Sequence, residues 1–559
     1  MPAMRRPSLN RFPMLVVASL LVLGVAVPMS GGELGFGGSA SPAPSTSPGA
    51  SGLLGAVGSP TFVPTATEQP TAQPTESPAG TPTPAPTPAV VATAVVPVTH
   101  FRSPATTTNR GELAKVLDGT SSRYEALTLV DDEADAILEA IGAKRPADPS
   151  RLVLAKDAAA LTRSLAKQRK RLGFLRADDV TPAVRALAWG DRSLFGVDRV
   201  KKLGDWRLNA QLPARGDTEA FDPGATWTLF AGGDILLDRG VYETLRVKGR
   251  GEDFPFAGGT AAITGRTCCS SFGWEIPRTQ RTGDAGAVRD VIKGADLAMA
   301  NFENPAPNRF RWHTSKTVFT ADPTLIDGLA DAGIDYVGLA NNHIGDAGDS
   351  GLLQTIANLK KRGLKSSGAG KDLAAARKPA IFDVNGTRVA ILAYDAIAPG
   401  YHAAKGEPGS SKLTIKSVEA GVKAARKSGA DVVIVFPHWG VEYRYSPFQN
   451  QQRLARQIID AGADMIIGNH AHYAAAVEIY KGKPIWYALG NFVFDQTWSE
   501  PTMEGISLEL TFQGAALRQI RMRPHIILDK AQPNFLDPAK DGRFVLGPIY
   551  DASKGLLPY

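Results

Sequence analysis

Seven short apolar runs, at residues 226–231, 297–300, 334–339, 388–393, 432–436, 465–467 and 484–489, punctuate the second half of the chain. Amphipathic stretches at 324–332, 351–362, 418–428 and 449–461 lie between several of them. Runs of this length read as buried strands, and the intervening 3.6-residue periodicity reads as helices with one apolar face. Alternation of the two predicts an α/β fold in which helices cover a sheet, and argues against a helical bundle or an all-β sandwich.

Polar residues follow these runs in a pattern. Gly233-Asp234 ends the first, with Asp238 and Arg239 soon after, and Asn301-Phe302-Glu303-Asn304 ends the next. Asn341-Asn342-His343 with Asp346, then His438-Trp439 with Glu442, then Asn469-His470-Ala471-His472, then Asn491 with Asp495, follow later runs. Asn and Asp are ordinary turn and cap residues, which accounts for one such cluster alone. Six at strand ends need another reason, because loops at one edge of a sheet lie side by side and can gather distant residues. His470 and His472 are two apart, which in extended backbone puts both rings on one face. Imidazole, carboxylate and amide together suit Zn, Mn or Fe better than Ca, which takes oxygen alone.

The remainder of the 559 residues is uneven. Arg5, Arg6 and Arg11 precede an apolar run at 14–27, so residues 1–31 read as a signal peptide or signal anchor and the protein as extracytoplasmic, secreted or held to a membrane by that segment. Residues 32–98 are rich in Pro, Thr, Ser and Ala, too poor in apolar bulk to offset the entropy of ordering, and predict a disordered tether. A small α/β domain is expected over 99–223, the main domain over 224–525 and an irregular tail over 526–559. Within the small domain, residues 94–103 and 110–119 are similar to part of a periplasmic solute-binding module; a spacer or a partner-docking domain fits as well. The net charge of +7 and the basic run at 167–171, without interleaved aromatics, describe a solvated surface and no nucleic-acid partner. Cys268 and Cys269 are the only cysteines, open to either two thiols or a disulfide.

The ordered clusters between about 226 and 510 resemble those of the poly-γ-glutamate capsule synthesis (CapA) family, a branch of the calcineurin-like metallophosphoesterases. The resemblance implies a layered sandwich holding two divalent transition metal ions. Asp234 and His472 would bind the first, Glu303 would bridge, and Asn342, His438 and His470 would bind the second. His343 would be a general acid oriented by Asp346. Arg239, Asn341, Trp439, Glu442 and Asn491 are expected at the substrate, with the stretch 248–286 and His313 completing a groove. The superfamily's Asp-x-His has Leu236 in its third place here, so the first site is expected to be weak or to recruit Asp238. The implied substrate is an anionic polymer such as poly-γ-glutamate, and the implied partners are membrane-bound capsule synthesis proteins. A metal-dependent hydrolase or transferase, a non-catalytic polymer-binding or export factor, and a phosphoesterase are the readings this leaves.

Overall fold

A computed structural model describes residues 89–216 and 221–559. The apolar run at 14–27 lies outside them. No helix among the described residues is long and apolar enough to cross a membrane, so the expectation of a protein secreted or anchored through that run is withdrawn: no apolar anchor is shown.

Two large sheets and a two-stranded one, Ala369–Gly370 with Gly409–Ser410, form the main domain. The larger has ten strands, in the order Ile276–Gly283, Thr260–Thr267, Gln532–Leu536, Ala516–Leu528, Glu504–Gln513, Thr226–Ile235, Leu297–Phe302, Tyr336–Gly338 and Lys365–Ser367, with Asn491–Val493 also on Thr226–Ile235. The smaller has six, in the order Ala380–Val384, Thr387–Asp395, Val432–His438, Met465–Ile467, Lys483–Trp486 and Val477–Tyr480. Side chains alternate across each strand. Leu229, Met299 and Tyr336 of the large sheet therefore meet Val389, Ile391, Ile434 and Phe436 of the small one in a shared core. Their neighbours Phe230, Ala298 and Val337 turn outward onto helices Ala287–Gly294, Ile326–Asp331 and Gly348–Lys361. Leu392, Val433 and Val435 likewise pack under Ile415–Lys427 and Gln449–Asp460. The result is the expected sandwich: helix, sheet, sheet, helix.

The small domain is a mixed sheet in the order Leu152–Ala155, Ala126–Val130, Arg171–Arg176, Val90–His100 and Val184–Ala186, with Asn209–Pro213 also paired to Val90–His100. Residues 90–98, assigned above to the tether, are the middle of this sheet, and Val95, Val96 and Val98 are wholly buried. Their Val, Ala, Thr and Pro content is continuous with the tract before them, which hid the strand. The domain is joined to the large sheet by buried polar contacts. Glu509 accepts from Val197 N at 3.1 Å and pairs with Arg521 at 3.1 Å and Arg523, while Arg521 also donates to Ser193 Oγ at 3.2 Å. Arg199 pairs with Asp296 at 3.0 Å and donates to Thr226 Oγ1 at 2.7 Å.

Two further expectations change. The stretch 248–286 is no structureless loop: Thr260–Thr267 and Ile276–Gly283 form an antiparallel hairpin that extends the large sheet through parallel pairing with Gln532–Leu536. Most residues of its outer strand are exposed, so no apolar period marked it. The tail beyond 526 carries strand Gln532–Leu536 and helix Gly542–Ala552, whose Val545, Leu546 and Ile549 enter the core between the sheets. Pro548 inside that helix disguised it.

Candidate metal centre

Strand pairing builds the site before any side chain is considered. Asp234 closes strand Thr226–Ile235 and has Asn301 beside it on one flank and Asn491 on the other. Gly233 lets this happen: Asp234 N donates to Gly490 O at 3.1 Å, and a Cβ on Gly233 would overlap that same carbonyl oxygen. In the facing sheet His438 ends strand Val432–His438 and bridges to Asn469, which leads into His470 and His472.

Two overlapping groups result, Glu303 with His438 and His470, and Asp234 with Glu303 and His472; within each, one donor atom per residue lies within 4.8 Å of the others. All five residues are buried. His438 Nε2 is 3.6 Å from Glu303 Oε1, His472 Nε2 is 4.0 Å from the same oxygen, and His472 Nδ1 is 3.8 Å from Asp234 Oδ2. Glu303 is therefore the member common to both groups.

His470 and His472 do not meet through extended backbone. Both have left-handed φ, 87° and 55°, which non-glycine residues seldom adopt. The turn costs on the order of 1–3 kcal/mol per residue, and it swings both rings to one side with centroids 6.2 Å apart. His470 N donates to Asp234 Oδ2 at 3.2 Å, tying the turn to the opposite sheet.

The electrostatics of the group point to a cation. Both oxygens of Glu303 are buried without a hydrogen-bond partner, an expensive arrangement for any carboxyl group. Burial, and then the nearby Asp234 carboxylate, push Glu303 well up, and burial pushes Asp234 up against the opposing hydrogen bond from Asn301. Burial likewise holds His438 well below the usual imidazole range and His470 and His472 at about 3 and 4, so the rings are neutral and have lone pairs to give. Neutral imidazoles around unpartnered carboxyls fit a divalent metal ion, which would satisfy both.

Neighbouring side chains orient the donors. Asn301 Nδ2 donates to Asp234 Oδ1 at 2.7 Å and lies 3.2 Å from His438 Nδ1. Asn342 Oδ1 is 2.7 Å from His438 Nε2, and its Nδ2 is 2.9 Å from His343 Nε2. His343 Nδ1 is 2.9 Å from Asp346 Oδ2, whose carboxylate also accepts from Phe319 N at 2.8 Å and Tyr401 Oη at 3.1 Å. His343 and Asp346 are thus held together beside the cluster. Asn301, Phe319 and Tyr401 had no role assigned from sequence; Asn301 had a visible signal, lying two residues before Glu303 in the same cluster, and the other two had none.

The sequence profile described as bacterial capsule synthesis protein PGA_cap matches residues 228–496. The capsule biosynthesis protein CapA of Bacillus anthracis is 35% identical over 281 residues, covering 48% of this chain and 67% of that protein. A probable polyglutamine synthesis accessory protein of Mycobacterium tuberculosis is 30% identical over 329 residues, covering 55% of this chain and 82% of that one. The chain belongs to the PGA_cap family. Among solved structures, a calcineurin-like phosphoesterase of Bacillus subtilis aligns at 14% identity with a TM-score of 0.31, covering 59% of this chain and 97% of that one.

Several residues expected at the substrate of this PGA_cap chain have other duties. Asn341 is buried, its Nδ2 donating to Phe302 O at 2.8 Å and its Oδ1 accepting from His343 N at 3.1 Å, so it ties two site loops together. Trp439 is buried against Tyr487 and donates to Tyr487 O at 3.0 Å, in the core under the small sheet rather than in a groove. Asn491 accepts from His472 Nδ1 at 2.8 Å and donates to Thr502 O at 2.9 Å. Arg239 pairs with Asp495 and lies over the Phe319 ring at 4.7 Å, its charge already matched. Glu442 alone of this set stands exposed at the rim.

Asp238 is not a spare metal ligand. It caps helix Arg239–Tyr242 through Arg239 N at 2.8 Å and accepts from His313 N, His313 Nδ1 and Thr320 N at 3.0, 2.6 and 2.8 Å. Leu236, in the place of the superfamily histidine, is buried with Phe319, Phe494 and Ile527. Asp234, Glu303 and His472 therefore receive no further donor from either residue. Cys268 and Cys269, at the hairpin tip, are joined in a disulfide.

Proposed function

We propose that this chain acts in poly-γ-glutamate capsule synthesis as a metal-dependent hydrolase or transferase that works on the polymer's amide linkage. The supporting observation is Glu303, whose two unpartnered buried oxygens face three neutral imidazoles and a second carboxyl. Family membership supplies the polymer: the relatives named above are described as capsule biosynthesis and polyglutamine synthesis proteins.

Glu303, His438 and His470 would hold one ion, with the Asn342 amide oxygen adjacent, and Asp234, Glu303 and His472 a second. Bound there, divalent metal supplies positive charge for a developing oxyanion and acidifies water at neutral pH. The protein's own share follows from its hydrogen bonds. Asn301 and Asn491 fix Asp234 and His472, so the donor set is preformed rather than recruited. Asp346 accepts from His343 Nδ1 and holds the ring with Nε2 beside Asn342. When water adds to the amide carbon and the C–N bond breaks, the proton that the water gives up passes through His343 to the departing nitrogen. Phe319, with its ring 4.2 Å from His343, shields the pair from solvent.

The three-donor group at Asp234 favours a second reading, in which a weakly held ion grips polymer carboxylates without turnover. The full chain, loaded with Mn or Zn, separates the two. Shortening of poly-γ-glutamate that is lost in His343→Ala at unchanged metal content supports the enzyme. Polymer binding without shortening, unaffected by that substitution, supports the binder and ends the catalytic reading.

A further inference from the structure

Beside the His343–Asp346 pair opens a cleft of about 450 Å³, lined on one wall by Arg309, Arg311, His313 and Val318 and on the other by Asp346, Ser350 and Gln354, among others. Its first wall is the segment Arg309-Phe310-Arg311-Trp312-His313, which alternates cation and aromatic ring. The contacts follow the alternation. Phe310, half-buried, and Trp312, exposed, both pack on Tyr242, with centroids 4.8 and 5.5 Å away, while Arg309, Arg311 and His313 line the cleft. Odd and even positions thus do different work, as on an extended chain.

The wall is anchored along its length. Asn308 N donates to Gln354 Oε1 at 2.8 Å, Trp312 Nε1 to Arg239 O at 3.0 Å, Thr320 Oγ1 to Arg311 O at 2.7 Å, and His313 is held by Asp238. The two guanidiniums are exposed, and neither has a carboxylate within ion-pair distance among the described residues. The single carboxylate in the lining, Asp346, is committed to His343, Phe319 N and Tyr401. A concave, pinned wall with two unmatched guanidinium charges selects for anions, and planar forks at alternate positions match carboxylates spaced along a chain.

Resting on the reading of the metal centre as the place where polyglutamate is processed, we propose that this cleft is a separate subsite. It binds successive carboxylates of a linear polyanion on the His343 side of the reacting linkage and so sets where along the polymer the centre acts. The cleft is continuous with the centre through Asp346, which lines the one and orients the acid of the other.

The test uses the full chain and a fluorescein-labelled poly-γ-glutamate oligomer, with binding followed by anisotropy in metal-chelated and metal-loaded protein. Because Arg309 and Arg311 are exposed and unpaired, their replacement leaves the fold intact, which circular dichroism checks. The double substitution Arg309→Ala with Arg311→Ala should weaken binding about tenfold or more in both states and flatten its salt dependence, whereas Arg309→Lys with Arg311→Lys should lose much less. Unchanged affinity and salt slope in the alanine pair would overturn the subsite. Labelled polyphosphate, run in parallel, separates this proposal from the assignment of polymer. Wild-type protein that ignores polyglutamate yet binds polyphosphate through the two arginines keeps the polyanion cleft and removes the polyglutamate reading. Wild-type protein that binds neither overturns both.

Discussion

His472 gives its Nδ1 to the amide oxygen of Asn491, 2.8 Å away, and so presents Nε2 to Glu303. Asn491 is itself held by Thr502 O, so the ring orientation is passed inward from the short helix Glu500–Met503. Asn491→Ala removes that constraint without touching a donor atom. Metal affinity should fall about 10- to 100-fold, read by competition with a chromophoric chelator, while the folding midpoint of the chelated protein moves little.

Asp346 stands one bond further from the chemistry. Asp346→Asn keeps the shape of the side chain, yet takes away the charged acceptor that His343 Nδ1, Phe319 N and Tyr401 Oη share. Turnover should drop by about 10²-fold with metal content unchanged by elemental analysis. Loss of metal in this variant would place Asp346 in the fold of the site rather than in proton transfer.

Glu303 tests whether a cation is what the buried carboxyls await. Metal at 100 times its Kd should stabilise the wild type by about 2.7 kcal/mol relative to chelated protein, seen as a rise in Tm. Glu303→Gln should erase that increment. In chelated protein the same substitution should cost little stability, because no hydrogen bond to Glu303 is lost.

Acid should act elsewhere, at the joint between the two domains. Burial alone would push Glu509 up, but the Arg523 and Arg521 guanidiniums and the Val197 N–H overcome it and hold the group at about 2, below its ordinary 4.5. A folded-state value lower than the unfolded one contributes stability that is present above about pH 4.5 and drains away as pH falls toward 2. The amount is about 3 kcal/mol. Glu509→Gln should be destabilised by a similar amount at pH 7, since two arginines are left facing a neutral amide, and its stability should vary less between pH 5 and 3. Urea unfolding at each pH measures both.

Legibility in the sequence followed burial. Strands buried on both faces, such as Val432–His438 and Met465–Ile467, show as apolar runs, and the helices between them show one apolar stripe. The six clusters were visible because a sheet edge places each of them after such a run. The hairpin at Thr260–Thr267 and Ile276–Gly283 carries little apolar period, and Val90–His100 borrows the composition of the tract before it. Within the site, residue type told which groups could bind metal but not which neighbours already used them. Asp238 looks like a spare ligand until His313 and Thr320 are seen to occupy it, and Trp439 looks like a groove residue until Tyr487 is found beneath it. The two left-handed histidines had no signature at all, since the turn is enforced by contacts from the opposite sheet.

The seam at Glu509 has a practical corollary. Cutting the chain near Pro223 to isolate the half that bears the histidines would strip Val197 N–H from the buried Glu509 carboxylate and Ser193 from the buried Arg521 guanidinium. Such a fragment would present a flooded ionic patch on the back of its main sheet, and poor solubility or lost metal binding in it would report on the excision rather than on the metal centre.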